Sequence, residues 1–540
     1  MKKFLLLFLV AFVIFGTLVA CNSSSEESFI VDVNQNANQN GNSDFNTSPE
    51  MGGNNNETNA DSVECFSFTL SEDGKSYSVS NQGNIFVGGD VVIPSTYNGL
   101  PVTAISDQAF SSREITSITI PDSVTHIGAG AFYSCSKLTS VTIPNSVISI
   151  GDNAFCGTGL KSIIIPDSVT SIGDGVFTQC HGLTSVTISN NVTSIGNSAF
   201  YFCTALADVT IPDSVTSIGN SAFWKCSELT SITIPNGVTN IGEEAFLNCT
   251  GLTEINIPDS VTSIGNRAFS GCEGLTSIII PESVTSIGEE AFSCCTNLMT
   301  VTIESDDLPN IGDLAFAACD KLVEIVNNSK TQINVLYQNE HNDCLVDNAL
   351  DVHSGNSKLV NQDGYCFYTV DGTNYLVNYV GNEKNLVLPT NYSGENYVIN
   401  DSAFYKNSDI TSVIIPDNIT SIDHEVFSGC TALTSVTIPD SVTSIGYYAF
   451  SGCTALTSVT IPDSVTSIGA SAFYGCYGLT SITIPDSVTS IGDNAFSGCV
   501  GLMSINYRST EGWWSVITKG SNWNYNVPST CVITYNYIGE

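Results

Sequence analysis

From Leu433 onward one alternation of apolar and polar positions runs three times without a break: LTSVTIPDSVTSIGYYAFSGCTA, LTSVTIPDSVTSIGASAFYGCYG and LTSITIPDSVTSIGDNAFSGCVG. In the first copy Val436 and Ile438 alternate with Ser435 and Thr437, the two-residue period of a strand buried on one face. Pro439 ends that strand, because its ring fixes φ and leaves no N–H for a ladder, and Asp440-Ser441 supply side-chain acceptors that suit a turn. Val442 and Ile445 return to the interior, and Gly446 permits a tight bend. The stretch Tyr447 to Cys453 is then long enough for about two helical turns, with Ala449, Phe450 and Cys453 facing inward. Each copy is expected to bury Leu433, Val436, Ile438, Val442, Ile445, Ala449, Phe450 and Cys453, while the pair before Ala-Phe varies and faces solvent.

The phenylalanine of the Ala-Phe (or Val-Phe) pair keeps time along the chain. It recurs at Phe404, Phe427, Phe450, Phe473 and Phe496 with a step of 23, and earlier from Phe110 through Phe132, Phe155, Phe177, Phe200, Phe223, Phe246, Phe269 and Phe292 to Phe316 with steps of 22 to 24. A fixed period in this range means a solenoid of stacked supersecondary units. The predicted fold is a repeat solenoid: a right-handed β/α coil with a parallel β-sheet face, short helices or 3-10 turns opposite, and β-rich caps. The arrays span residues 101–326 and 401–506, and between them, over 327–400, the clock stops. The tail of this insertion, LVLPTNYSGENYVINDSAF, resembles VVIPSTYNGLPVTAISDQAF at the start of the first array, so the second array restarts with its own opening segment.

The flanks read differently. Lys2 and Lys3, an apolar run and Leu18-Val19-Ala20-Cys21 make residues 1–20 an export signal, too short in its apolar part to span a membrane. The tetrad resembles the lipobox of bacterial lipoproteins, which implies lipidation at Cys21. Residues 21–63, rich in Asn, Ser and Glu, form a tether with too little apolar surface to fold. Residues 64–100 read as a β cap opening with a hairpin, and 507–540, with Trp513, Trp514 and Trp523, as an aromatic C-terminal cap. The same tryptophans are candidates for stacking on sugar rings.

The spacing Leu433-x-x-Val436-x-Ile438 matches the L-x-x-L-x-L core of leucine-rich repeats, with Ser441 standing where their asparagine ladder runs. The 23-residue unit with Ile-Pro, Ile-Gly, Ala-Phe and Cys resembles the BspA-like, or Treponema pallidum type, leucine-rich repeats of bacterial surface proteins. That resemblance implies a bacterial surface protein that adheres to host matrix, host cells or other bacteria, and with the lipobox the chain is expected to be a membrane-anchored lipoprotein of the cell surface or outer membrane.

Charge and chemistry narrow the picture. With 53 acidic and 15 basic side chains the net charge is −38, which repels phosphate backbones and speaks against nucleic-acid binding. Of 19 cysteines, twelve from Cys135 to Cys499 lie three residues after the marker phenylalanine and are expected to be a ladder of small buried hydrophobes, neither a disulfide framework nor a zinc site. Cys344 and Cys366 remain candidates for a disulfide. His341-Asn342-Asp343-Cys344 reads as surface loop, since a Cys-His pair is defined in space and not by proximity in sequence. No catalytic residues, metal or cofactor are expected. The Ile-Pro-Asp column, replaced by Asn145, Asn236 and Glu282, suits a turn better than calcium. On the sheet face the monotonous Ser and Thr give way at Asp208, Glu254, Asn256 and Glu324. Asp208, Glu254 and Asn256 are the candidate partner-binding patch, for surface proteins of a host or another bacterium. A carbohydrate-binding module, with glycans as ligand, and a spacer without ligand are the alternatives.

Overall fold

The computed structural model describes residues 65–82, 88–307, 309–329, 349 and 351–537. Cys21, the residues before it, the tether, and the cluster from His341 to Cys344 lie outside them. The chain divides into two compact units, Met1–Val215 with Gly219–Glu228 and Thr216–Ile218 with Leu229–Glu540.

Within each unit one coil contributes two strands. Ser458–Thr460 is the longer, and it pairs in parallel and in register with Ser481–Ile484 of the next coil, serine on serine and Val459 on Ile482. The second is the two-residue Ser467–Ile468, paired with Ser490–Ile491 and, behind it, with Ser444–Ile445. Threonine follows the same stacking rule: Thr480 Oγ1 donates to the Thr457 carbonyl one coil back at 3.0 Å. Where an asparagine ladder was missing, serine builds one. Ser487 Oγ donates to the Val465 carbonyl at 2.7 Å, and Ser260 to Val238 at 2.7 Å.

The helices expected opposite the sheet do not form. In the stretch Tyr447 to Cys453, alternate N–H groups leave the coil: Tyr448 N donates to Ala470 O, Phe450 N to Ala472 O and Gly452 N to Tyr474 O, at 2.7 to 3.0 Å. The intervening ones close i to i−3 turns, Ser451 N to Tyr448 O and Cys453 N to Phe450 O. Tyr448 and Gly452 sit in the left-handed region at φ 54 and 69°. A helix would need every one of those N–H groups for its own i−4 carbonyl, and the next coil takes half of them. Glu511–Val516, beyond the repeats, is an α-helix of six residues capped by Thr510. Gly446 also has a different reason from the one expected. Its φ is ordinary, but a Cβ there would lie 2.6 Å from the Asp423 backbone, and one on Gly469 would lie 2.5 Å from Gly446 itself. The Ile-Gly glycines let successive coils approach.

The predicted core positions are filled. Leu433, Val442, Ala449, Phe450 and Cys453 are fully buried, with Ile445 and Ile438 nearly so, while Val436 is half-buried. The phenylalanines stack face on face, at 5.2 to 5.8 Å from Phe110 to Phe223 and 5.0 to 5.4 Å from Phe404 to Phe496. Each stack ends on an aromatic edge. Phe66 from the hairpin Phe66–Leu70/Tyr77–Asn81 meets Phe110 at 88°, and Trp523 meets Phe496 at 87°.

Beneath the rings runs the cysteine ladder. Every one of its twelve thiols is buried, and where a thiol bond is resolved Sγ donates to the phenylalanine carbonyl of the preceding coil, as Cys453 does to Phe427 at 3.1 Å and Cys135 to Phe110 at 3.0 Å. Cysteine is therefore both a small apolar filler and a donor that leaves no buried carbonyl lone pair unused. Cys156 departs from the ladder column, where Thr158 stands and donates its hydroxyl to the Phe155 carbonyl at 2.8 Å. Burial pushes the thiols up, Cys135 to about 11 and Cys476 well above its ordinary value. At pH 8 the ladder is thus protonated and shielded. The native chain treated with a thiol reagent at pH 8 is expected to react, among the described cysteines, at the half-buried Cys65 and Cys531 alone, and the denatured chain at the whole ladder. Rapid native labelling of Cys453 would contradict the buried ladder.

Candidate functional site

The strand ladder determines where the candidate patch lies. Asp208 opens strand Asp208–Thr210 of the first unit, its Cα opposite Ser185, with Val209 turned inward and Asp208 exposed. Glu254 and Asn256 belong to the second unit, on Glu254–Asn256, opposite Ser231 and Thr233, and both are exposed. Glu254 and Asn256 are thus brought together on one face of one strand, and Asp208 takes the corresponding outward position in its own unit. The same face carries Ile164 in the first unit and Ile279 and Ile414 in the second, exposed by 67, 53 and 47%.

Beside the strands the Ile-Pro-Asp turns of the second unit line a groove of about 530 Å³, formed by Asp259, Glu282, Ser283 and Glu304. It continues past Glu282 to Ser305, Asp306 and Asp307. The turns of Asp259 and Glu282 are closed by their backbone, with Val261 N donating to Pro258 O at 3.0 Å and Val284 N to Pro281 O at 3.1 Å, Glu304 stands in the column of Pro281, and all three acidic side chains are exposed. Among the described residues no three His, Cys, Asp or Glu side chains gather as metal ligands would.

Glu324, which breaks the serine column as Glu254 does, is buried. The insertion covers it. Thr300 Oγ1 and the Lys358 N–H donate to its carboxylate at 3.0 Å, His353 Nε2 lies 3.0 Å away, and Ser357 Oγ also donates. Burial pushes this carboxyl up, but the four partners outweigh it and hold the group below its ordinary value. Asp351–His353 extends the sheet as a parallel neighbour of Glu324–Asn327. The hairpin Tyr365–Val370/Thr373–Tyr379 follows, and both of its faces are buried. Phe367, Leu376 and Tyr379 join the core of the second array, and Cys366, Tyr368 and Val377 pack on Met299 and Val323 of the first. Cys366 is a free thiol in that packing, so the disulfide expected with Cys344 does not form: its side chain is spent on apolar contact. Among the described residues Cys294 is disulfide-bonded. The second array then opens as the first does, with Asn385–Val387 parallel to Ser412–Ile414 just as Gly89–Val92 is parallel to Ile115–Thr119.

This junction also holds ionisable groups. Lys321, buried, donates from Nζ to Asn297 Oδ1 at 2.9 Å and Asn378 Oδ1 at 3.0 Å, and burial pushes it down to about 8. Burial, with the Glu425 carboxylate of the second array adding to it, pushes Asp320 up to about 7.

In the C-terminal cap Trp514 is buried, its ring meeting Tyr507 and Trp523 edge-on with Lys519 Nζ 4.6 Å from its centroid. Trp523 is partly buried and closes the phenylalanine stack. Trp513 alone of the three presents its ring to solvent, at 64%. Reading the sequence missed one aromatic group. Where four coils have Ser-Gly after the marker phenylalanine, as in Ser451-Gly452, two successive coils of the first unit have Tyr201-Phe202 and Trp224-Lys225, and comparing the copies column by column at these two positions would have found them.

A coil that buries Leu, Val, Ile, Ala, Phe and Cys at fixed offsets, stacked in register behind a parallel sheet, is a leucine-rich repeat solenoid. The model of the BspA type leucine rich repeat region (6 copies) matches residues 103–230, 216–345 and 397–512, well over half of the chain, which belongs to that family. No curated protein matches. Among solved structures the chain is similar to a leucine-rich repeat protein from Bacteroides ovatus (27% identity over 88% of this chain and 99% of that one, TM-score 0.45). It is also similar to a leucine rich cell surface protein from Faecalibacterium prausnitzii (28%, covering 86% and 98%, TM-score 0.33) and to the Leucine Rich Repeat protein of T. pallidum (30%, covering 40% and 91%, TM-score 0.30). The matching family is a repeat scaffold, a fold typically non-enzymatic.

The Asp320 charge sets a pH dependence. Its folded pKa lies above the ordinary 3.8, so the stability its protonated form supplies is complete below pH 3.8 and lost as pH rises through about 7. Asp320→Asn, which keeps the neutral shape, is expected to raise the melting temperature at pH 8 and to lose that advantage near pH 3. An unchanged or lower melting temperature at pH 8 would show that the charge is not held at a cost.

Proposed function

We propose that the chain is an exported scaffold, anchored by a lipid on Cys21 and displayed at the cell surface, that adheres to a protein partner through its acidic side. The groove lined by Asp259, Glu282 and Glu304 carries this reading. Its carboxylates are exposed, they lie in columns whose consensus serves the turn through its backbone, and they are continued by Asp306 and Asp307. Glu254 and Asn256 extend the acidic surface onto the sheet of the same unit, with Asp208 its counterpart in the other. A partner presenting Lys and Arg would find complementary charge there and would be steered toward it by the net charge of −38. Surface proteins of a host matrix, a host cell or another bacterium are the class of partner, and adhesion is the activity.

Two outcomes are expected. The triple variant Asp259→Ser, Glu282→Ser, Glu304→Ser, at exposed turn positions, retains its melting temperature and loses at least tenfold in binding to a panel of matrix proteins and epithelial cells, as does Asp208→Ser with Glu254→Ser if the sheet face takes part. Adhesion that survives both sets with normal folding would rule out the acidic surface. Cys21→Ala should move the chain from the membrane pellet to the soluble fraction of exporting cells, and persistence in the pellet would refute the lipid anchor.

A further inference from the structure

The first unit departs from its own repeat in the turn that follows the marker phenylalanine, and the departure is not required by the core. In the coils around Phe200 and Phe223 every buried position is filled as elsewhere: Ala199, Phe200, Cys203, Leu206, Ala222, Phe223 and Cys226 are all fully buried. Outside them, Tyr201, Phe202 and Trp224 are half-buried rings at the two positions that read Ser-Gly after Phe269, Phe427, Phe450 and Phe496, the second of which is left-handed in every one of these coils. Phe202 occupies the left-handed slot at φ 59°, a conformation that bulky L residues rarely adopt. The chain thus places an aromatic side chain where glycine is the easy choice.

The backbone ladder sets these residues side by side. Gln179 N donates to Tyr201 O and Phe202 N to Trp224 O, so the two coils are adjacent rungs. Tyr201 lies 4.7 Å from Phe202 and 4.9 Å from Trp224, the latter nearly perpendicular, and His181 approaches the Phe202 edge at 6.5 Å. Cations stand on these and the neighbouring rungs. Lys225 Nζ stands 4.5 Å over the Phe202 ring, and Lys161 Nζ lies where a Cβ on Gly182, the neighbour of His181, would come within 2.7 Å of it. Lys161 and Lys225 have no carboxylate within ion-pair distance among the described residues, in a chain with 53 acidic side chains to offer.

We propose that His181, Tyr201, Phe202, Trp224, Lys225 and Lys161 form a binding site for an anionic glycan. A sugar ring presents an apolar C–H face that stacks on an aromatic ring, and polar edges that suit the Thr178 and Gln179 side chains one rung away. The unpaired ammonium groups then select a carboxylate or sulfate substituent. The cluster offers three half-buried rings, whereas a stable protein interface buries roughly 1,200 Å² or more, which favours a sugar over an acidic protein. The net charge of the chain does not forbid this. At physiological ionic strength the interaction between exposed charges falls off over about 8 Å, so a bound anion responds to the local cations. The site is separate from the acidic surface proposed above, and either can fail without the other.

The test is binding of the full chain, at physiological salt, to chondroitin sulfate, hyaluronan, neutral dextran and polyglutamate. Saturable binding to chondroitin sulfate, with or without hyaluronan, and none to dextran is expected; binding of chondroitin sulfate alone identifies sulfate as the required anion, and comparable binding of both identifies the carboxylate they share. Tyr201→Ser with Trp224→Ser restores consensus letters, so it should fold with an unchanged melting temperature and weaken binding at least tenfold. Lys225→Gln should weaken it and flatten its salt dependence. Absence of binding to either anionic polysaccharide, binding undiminished in the folded consensus variant, or tighter binding of polyglutamate would overturn the proposal.

Discussion

The structure depends on the hydrogen-bonded register between one coil and the next. Backbone groups on three sides of the coil are committed to neighbours: the long strand, the Ser-Ile strand, and the alternate N–H groups of the Ala-Phe turn. Once that register is set, equivalent residues must stack, and every side chain that recurs becomes a column. Phenylalanine on phenylalanine, serine hydroxyl on carbonyl, and thiol on carbonyl are consequences of one constraint. A coil cannot bury its apolar face by itself, so stability resides in the interfaces and each coil depends on the next.

A ladder of this kind leaves two open ends and tolerates an interruption only if both faces of the inserted piece are apolar. In the first unit Phe66 closes an end at Phe110 and in the second Trp523 closes one at Phe496, each with a ring edge that stops a face-on stack without offering another face to extend it. The interruption obeys the same rule. The hairpin around Phe367 and Leu376 buries Cys366, Tyr368 and Val377 on its other side, and Glu324 turns a solvent-facing column inward by finding four partners in the insertion. A buried carboxylate without them would cost far more than the serine it replaces.

Much of this was legible. The alternation at Val436 and Ile438, the break at Pro439 and the inward Phe450 and Cys453 follow from periodicity and proline chemistry, and the structure has them where the pattern places them. The helical turns were not legible, because a stretch such as Tyr447 to Cys453 has helical length and composition, and only the neighbouring coil, a tertiary partner, diverts its N–H groups. The role of Gly446 was misread for a similar reason: close approach of two coils is invisible in one of them. The burial of Glu324 depended on the fold of an insertion that shares no period with the repeats. For the candidate site the outward positions of Asp208, Glu254 and Asn256 were readable from strand alternation, whereas the groove formed by Glu282 and its neighbours needed coordinates.

In such a molecule the constant letters answer to the core and the ladders, so chemistry specific to this chain has to come from columns that break. The breaks are not alike. Those at Glu324 and Thr158 repair a buried contact, and each has its partners nearby. Those at Glu254 and Glu304 place charge in solvent in columns that carry mainly serine and proline. Phe202 goes further, because its left-handed φ opposes the residue type. A departure that the fold explains indicates how the ladder is held together, and one that the fold merely tolerates, or tolerates at a conformational cost, is where contact with another molecule has a physical reason to be found.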